Sequence, residues 1–295
     1  MMTLLAVLRI AVAAAGLLVG GGVAAQPEAA RGQDAPGAGA TPGAPGEFTS
    51  ADELLTALES AGAEIRHLSA DIAYVKEFAI QGDVQTREGR LVFESKPGEV
   101  ESAAPARRFG ITFDKFQVGE RVEDEQIEYL EQFIFDGEWL AEIRPNEKQF
   151  IRRQVVRPGE RWDPLKVGEG PFPIPIQQRR EDILRQYGAE LLDGAEGLDQ
   201  PKLQAVGGKC YQLRLTPRED AGESDVREIR VWYDKQTLLP RIARTVSTAD
   251  DVSLVLLKNV KLNEEAAVSE AELSTELPPD LTGWNVTVEE YRGEE

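Results

Sequence analysis

The sequence predicts a mainly β protein: about eleven antiparallel strands in one large curled sheet, with a helical cover. Three observations carry this. Apolar residues recur with period two from Leu68 to Leu262, short turn signals separate the runs, and one proline-rich break divides them into two meanders. A twisted sheet of that size either closes on itself or needs a cover over its apolar face.

The first element is a helix. Thr49 or Ser50 caps it, Asp52 and Glu53 suit its first turn, Leu54, Leu55, Leu58 and Ala61 form its apolar stripe, and Gly62 ends it. The period then becomes two. Leu68, Ala70, Ile72, Tyr74, Phe78 and Ile80 alternate, broken by Lys76. Leu91 and Phe93 continue the pattern, then Phe109, Ile111 and Phe113, then Ile127, Tyr129, Phe133 and Phe135. Asp136-Gly137 turns the chain into Trp139–Ile143, and Pro145-Asn146 turns it into Phe150–Val156. The first meander thus presents Phe93, Phe109, Ile111, Phe113, Tyr129, Phe133 and Phe135 on one inner face.

The pattern then breaks. Pro158, Pro164, Pro171, Pro173 and Pro175 exclude a central strand or a helix interior. Phe172, Ile174 and Ile176 stand between or beside the last three prolines, apolar and without a strand partner. A helix over Gln177–Tyr187 follows, with Ile183, Leu184 and Tyr187 on its apolar side and Gly188 closing it. Pro171–Ile176 and this helix form the expected lid: a stiff segment that covers the apolar face when it is empty and moves aside for a ligand. The second meander runs through Tyr211–Leu215, Ile229–Tyr233, Leu239–Val246 and Val252–Leu262. Trp284–Val288 supplies a last strand.

Charge and chemistry narrow the function. Lysine plus arginine number 33 against 52 aspartates and glutamates, a net charge of −19, which excludes a nucleic-acid partner. Arg152, Arg153, Arg157 and Arg161 are a local basic cluster in this acidic chain, a candidate docking patch for an acidic partner or anionic head groups. One histidine, His67, and one cysteine, Cys210, leave no intrachain disulfide, no zinc site and no Ser-His-Asp triad. No metal, no cofactor and no catalytic residue is expected, and Cys210 reads as a structural thiol. Gly207-Gly208-Lys209 lacks the remainder of a phosphate loop, and Asp193–Gly197 reads as an acidic turn.

At the N-terminus, Met1–Ala25 is apolar apart from Thr3 and a single arginine, Arg9. Gly20–Gly22 and the small residues Val23-Ala24-Ala25 favour a removed export signal over an anchor. Residues 26–47, rich in proline, glycine and alanine, read as a flexible linker to a domain over 48–293.

The order of several segments resembles the LolA-type periplasmic carriers of outer-membrane lipoproteins. The export signal and first helix are followed by Tyr74-Val75-Lys76, Gly89-Arg90-Leu91-Val92-Phe93 and Asp136-Gly137-Glu138-Trp139-Leu140. Asp234-Lys235-Gln236-Thr237-Leu238-Leu239-Pro240, Asn259–Asn263 and the stretch from Pro278-Pro279-Asp280 to Val286 complete the set. The resemblance covers roughly residues 50–293 and implies an incomplete, half-open antiparallel barrel with a helical lid over an acyl-binding cavity. It further implies a monomeric, non-enzymatic periplasmic carrier whose partners are lipoprotein acyl chains, an inner-membrane donor and an outer-membrane acceptor. Where the family has Arg-Pro after the second strand, this chain has Lys96-Pro97, and lysine is a less directional latch. Two alternatives stand beside this reading: an envelope hydrolase using a carboxylate pair in the cleft, and a lipid-sensing regulatory module of the same fold.

Overall fold

The computed structural model describes residues 47–96, 106–119, 121–123, 129–157, 165, 167, 172, 174–222, 224–277 and 279–291. Helix α1 spans Ala51–Ala63. Ser50 Oγ accepts the Glu53 N–H at 3.2 Å, and the Glu53 carboxylate accepts from the Thr49 N–H and hydroxyl, each at 2.9 Å. The cap and stripe legible in the sequence are the ones that form.

The first meander consists of β1 (His67–Glu77), β2 (Val84–Lys96), β3 (Ala106–Val118), β4 (Arg121–Glu123), β5 (Glu131–Phe135), β6 (Trp139–Arg144) and β7 (Gln149–Gln154). Helix α2 (Arg180–Gln186) leads without a break into β8 (Tyr187–Leu192), and α3 (Pro201–Gly207) precedes β9 (Cys210–Pro217). The remaining strands are β10 (Val226–Asp234), β11 (Pro240–Ser247), β12 (Val252–Leu262) and β13 (Asn285–Glu289).

These strands form one 13-stranded sheet in the order β13-β7-β6-β5-β3-β2-β1-β12-β11-β10-β9-β8, with β4 paired to β3. β12 returns beside β1 and joins the two meanders. β13 and β8 end the order without pairing to each other, so the sheet is an incomplete barrel. Every neighbouring pair is antiparallel except β13 with β7, which are parallel.

The structure departs from the expected pattern in four places. β4 and β8 raise the strand count from about eleven to thirteen. Tyr187-Gly188 starts a strand instead of closing a helix, because Tyr187 and Gly188 pair with Pro217 and Thr216 across β9. The alternation of β1 stops at Glu77, and Ile80 lies on the hairpin tip, 86% exposed. A short third helix, α3, lies on the outer face, where Leu203 and Val206 pack against Leu198, Cys210, Trp232 and Ile242.

The period-two stripes set the inner face. Leu68, Ala70, Ile72, Leu91, Phe93, Phe109, Ile111, Phe113, Phe133 and Phe135 are all buried in one core with Leu213, Leu215, Ile229, Val231, Val255 and Leu257. One irregularity reshapes this face. A bulge lies where β2 crosses β3, with Glu88 opposite Lys115 and Gly89 opposite Phe113. The extra residue, Asp114, resets the parity, so both Phe113 and Phe116 fall on the inner side. A Cβ on Gly89 would lie 1.9 Å from the Thr112 carbonyl oxygen and 2.8 Å from Phe113 Cα, an approach that only glycine permits. Gly89→Ala is expected to cost about 1–3 kcal/mol in urea denaturation, because the β2–β3 crossing must shift; an unchanged midpoint would show that the bulge accommodates a methyl group.

Candidate functional site

The concave face is filled, and by an unusual occupant. Leu165, Val167, Phe172, Ile174 and Ile176 belong to no strand or helix, yet all five are buried in the main core. Phe172 is 4% exposed, and Ile174 and Ile176 are each 1% exposed. The Phe172 ring meets Tyr74 at 5.5 Å, Phe113 at 6.0 Å and Phe133 at 5.3 Å between centroids. Phe109 stacks on Phe135 at 6.1 Å, and Phe113 meets Phe133 edge-on at 6.3 Å. Phe93 and Ile111 complete the same floor.

Backbone and amide bonds hold the plug. The Ile174 N–H donates to the Phe172 carbonyl at 2.9 Å and the Ile176 N–H to the Ile174 carbonyl at 3.0 Å, two successive three-residue turns. Gln178 Nε2 donates to the Leu165 and Ile176 carbonyls, and its Oε1 accepts from the Val167 N–H. The Tyr187 hydroxyl donates to the Val167 carbonyl at 3.3 Å. Ile183 of α2 is buried in the main core, and Leu184 packs at its margin. Pro171 lies outside the described residues.

The joint between plug and helix is Gln177. Its φ of 56° is left-handed, a conformation that costs a side-chain-bearing residue about 1–3 kcal/mol. Three bonds hold it there. Gln177 Nε2 donates to the Gly62 carbonyl at 2.9 Å and the Ile65 carbonyl at 2.7 Å, and the Gln177 carbonyl accepts from Arg107 Nη2 at 2.7 Å. Lys96 has no part in this. It pairs with Glu94 at 3.2 Å and Glu270 at 3.9 Å, while Arg107, opposite Ser95 on β3, reaches the lid instead. A cleft of about 50 Å³ borders this joint, lined by Leu55, Leu58, Ile176, Gln177, Leu238 and Leu239 among others.

Beyond Phe172 the inner face turns polar. Glu131 follows Phe133 on the inner parity of β5, Arg87 sits opposite Tyr74 on β2, and Glu142 and Arg144 occupy the inner parity of β6. Arg87 and Glu131 are each 4% exposed and paired at 3.1 Å. Arg144 donates to the other oxygen of Glu131 at 3.0 Å and also pairs with Glu142. Arg153 lies 3.8 Å from Glu142 and 2.8 Å from Glu289. Tyr129 stacks on Phe116 at 5.0 Å and donates its hydroxyl to Glu131 at 2.9 Å, so it forms the rim of the aromatic floor instead of its centre. Burial, with the Glu131 charge beside it, holds the Tyr129 phenol above its ordinary range. Burial likewise raises the Glu142 carboxyl, opposed by Arg144 and reinforced by Glu131. The sequence signal for these residues was charge at inward parity, Glu131 between Tyr129 and Phe133.

The arginine cluster does not form one surface. Arg152 and Arg153 are neighbours on a strand and so point to opposite faces. Arg152 lies 4.3 Å over the Trp139 ring on the outer side, while Arg153 joins the inner ion pairs. Arg157 donates to the Tyr291 hydroxyl at 2.8 Å, and Arg161 lies outside the described residues. His67 stands 3.4 Å from Glu94, and burial pushes the Glu94 carboxyl up less than the Arg108 and Lys96 hydrogen bonds pull it down. The described residues contain no group of three or more His, Cys, Asp or Glu that could hold a metal, and no helix among them is long and apolar enough to cross a membrane.

No family model and no curated relative matches the chain. It is similar to several solved structures. A conserved protein from Thermus thermophilus is 14% identical, covering 82% of this chain and 99% of that one at a TM-score of 0.42. The LolA superfamily protein NE2245 from Nitrosomonas europaea is 10% identical, with 77% and 98% covered and a TM-score of 0.31. The Pseudomonas aeruginosa MucA/MucB complex is 16% identical, with 78% and 67% covered and a TM-score of 0.36. At these identities and TM-scores, substrate and partner are questions for the chain's own geometry.

Two measurements probe this site. Gln177→Ala removes both anchors to the end of α1 and is expected to lower stability by about 1–2 kcal/mol in urea, with faster amide exchange at residues 62–65; unchanged exchange there would make the joint incidental. Burial pushes the Cys210 thiol up to about 11, and its Sγ donates to the Val206 carbonyl at 3.3 Å. Iodoacetamide at pH 8 is therefore expected to label it only after denaturation; rapid labelling of the native protein would contradict its burial.

Proposed function

We propose that this protein is a non-enzymatic carrier that exchanges its own plug for an acyl chain. The observation that carries the reading is that an unclosed sheet has its interior completed by a segment outside its strands and helices, held at a strained joint. Phe172, Ile174 and Ile176 are the gate, Ile183, Leu184 and Tyr187 hold its helical side, and the aromatic floor receives the ligand.

The energies permit exchange. Exposing three apolar side chains costs about 5–9 kcal/mol in all, an upper bound. A buried acyl chain returns about 0.8 kcal/mol per CH₂, so fourteen carbons return about 11 kcal/mol and exceed that cost by only about 2–6 kcal/mol. Loading is favourable and release remains possible, as a shuttle requires. The left-handed backbone at Gln177 opposes the closed state by a small amount and so favours the same movement.

The apolar N-terminal 25 residues and the following linker support export to the periplasm, with lipoprotein acyl chains as cargo between an inner-membrane donor and an outer-membrane acceptor. The hydrolase alternative finds little support on the concave face. Among the described residues, its two buried carboxylates, Glu131 and Glu142, are both bound by Arg144, which leaves neither as an unengaged base.

Mass spectrometry of the protein purified from its own envelope is expected to detect bound acyl species. Phe172→Ser, Ile174→Ser and Ile176→Ser combined are expected to change fluorescent fatty-acid uptake at least about tenfold while the sheet stays folded by circular dichroism. Uptake and release identical to the parent would overturn the gate.

A further inference from the structure

The inner face is amphipathic, with its apolar and polar parts meeting at Phe172. Tyr74, Phe113 and Phe133 surround that ring, and each is tied to the polar part. Tyr74 lies opposite Arg87, Phe113 lies opposite Glu131, and Phe133 is two residues from Glu131 on the same strand face. From there the charges alternate across the sheet: Arg87, Glu131, Arg144, Glu142, Arg153, Glu289. The series begins with a buried cation opposite Tyr74, which meets the plug, and ends with an exposed anion on the edge strand β13.

Arg87 is built differently from the other arginines in the series. Its guanidinium lies 4.8 Å over the Phe116 ring, which Tyr129 covers from its own side. Arg87 Nε donates to Tyr129 and Glu131, and Nη1 to Gln85 Oε1 at 3.3 Å. The second amino group, Nη2, has no hydrogen-bond partner among the described residues. Arg144, by contrast, engages Glu131, Gln149 and Glu142 with Nε, Nη1 and Nη2. Glu131 is shared between Arg87 and Arg144, and Arg144 also has Glu142, so among the described residues Arg87 alone of the two has no second carboxylate beside it. Three buried charges, Arg87, Glu131 and Glu142, are a costly way to fill the inner face of a sheet, since apolar side chains of similar volume would serve stability as well or better.

We propose that Arg87 receives the anionic head of a single-chain amphiphile, a carboxylate or phosphate monoester, whose acyl chain takes the place of Phe172. The inference rests on the carrier reading and specifies its cargo. An anion at Nη2 extends the alternation by one place, while Tyr129 and Phe116 hold the guanidinium in its plane. The ligand's orientation is thereby fixed, tail along Phe113 and Phe133 and head toward β2.

Isothermal titration at pH 8 with myristate, tetradecyl phosphate and tetradecanol tests this, since the tails match and the heads differ. At least one anion is expected to bind about tenfold or more tighter than the alcohol, as a charged hydrogen bond in a buried setting should. The stronger of the two distinguishes a carboxylate head from a phosphate head. Arg87→Gln is expected to bring the ratio of anion to tetradecanol affinity close to one, whatever its effect on the absolute affinities. Arg87→Gln combined with Glu131→Gln keeps the charge balance if the single variant fails to fold, and the same loss of preference is expected. Equal binding of all three probes by the parent, or a preference that survives in the folded variant, overturns the head site and leaves the carrier reading standing. Failure of every probe to bind, with no acyl species in the purified protein, overturns the carrier reading itself.

Discussion

A sheet with an apolar inner face that does not close must be covered from within, and the remaining architecture answers to that requirement. β13 and β8 stop short of pairing, so hydrogen bonding between strands cannot seal the interior. Helices α1 and α2 cover part of it. The deepest part is taken by side chains from a segment outside the strands and helices, with Phe172 inserted among Tyr74, Phe113 and Phe133. Interiors are close-packed, so the aromatic floor and the plug must match in shape. A movable interior therefore has to be exchanged for something equally apolar.

That requirement explains the polar bonds around the plug. A segment with no regular structure must still satisfy its backbone, and Gln177, Gln178 and Tyr187 do this through backbone groups of Gly62, Ile65, Leu165, Val167 and Ile176. Such bonds contribute only modestly against water, so they specify where the segment sits without locking it there. The left-handed backbone at Gln177 stores a further small opposing energy. Apolar burial supplies the depth of the closed state, and the amide bonds supply its register.

Two features of the outer surface secure the frame around this exchange. The turn at Glu270–Leu273 lies against β3 so closely that a Cβ on Gly110 would meet the Glu272 carbonyl oxygen at 2.1 Å. Arg90 and Arg108 tie the same turn down through Glu272 and Glu270. The strands that form the floor are thus backed on their outer side by the C-terminal region, and Trp284 closes a second small core with Ile134, Ala141, Ile143 and Phe150. A frame clamped in this way leaves motion to the plug.

Most elements carry a local signal in the chain alone, although α3, with Pro201 at its first position, is not among the elements expected from it. The cap of α1 is written in Thr49, Ser50 and Glu53, the inner stripes in alternation, and the oddity of the plug in three apolar residues set among prolines. Cys210 is legible as a core residue in the same way. The features settled only by folding are non-local. An extra residue at Asp114 brings Phe116 onto the inner face and under Arg87, and no pattern within β3 announces it. Charged residues at inward parity, Arg87, Glu131, Glu142 and Arg144, look like interruptions until partners arrive from other strands, because a buried charge is tolerable only when another chain segment neutralises it. Arg152 and Arg153 look like a patch in one dimension and fall on opposite faces in three. Alternation states that a side chain faces one side or the other; which side, and what waits there, is set by pairing between residues far apart in the chain.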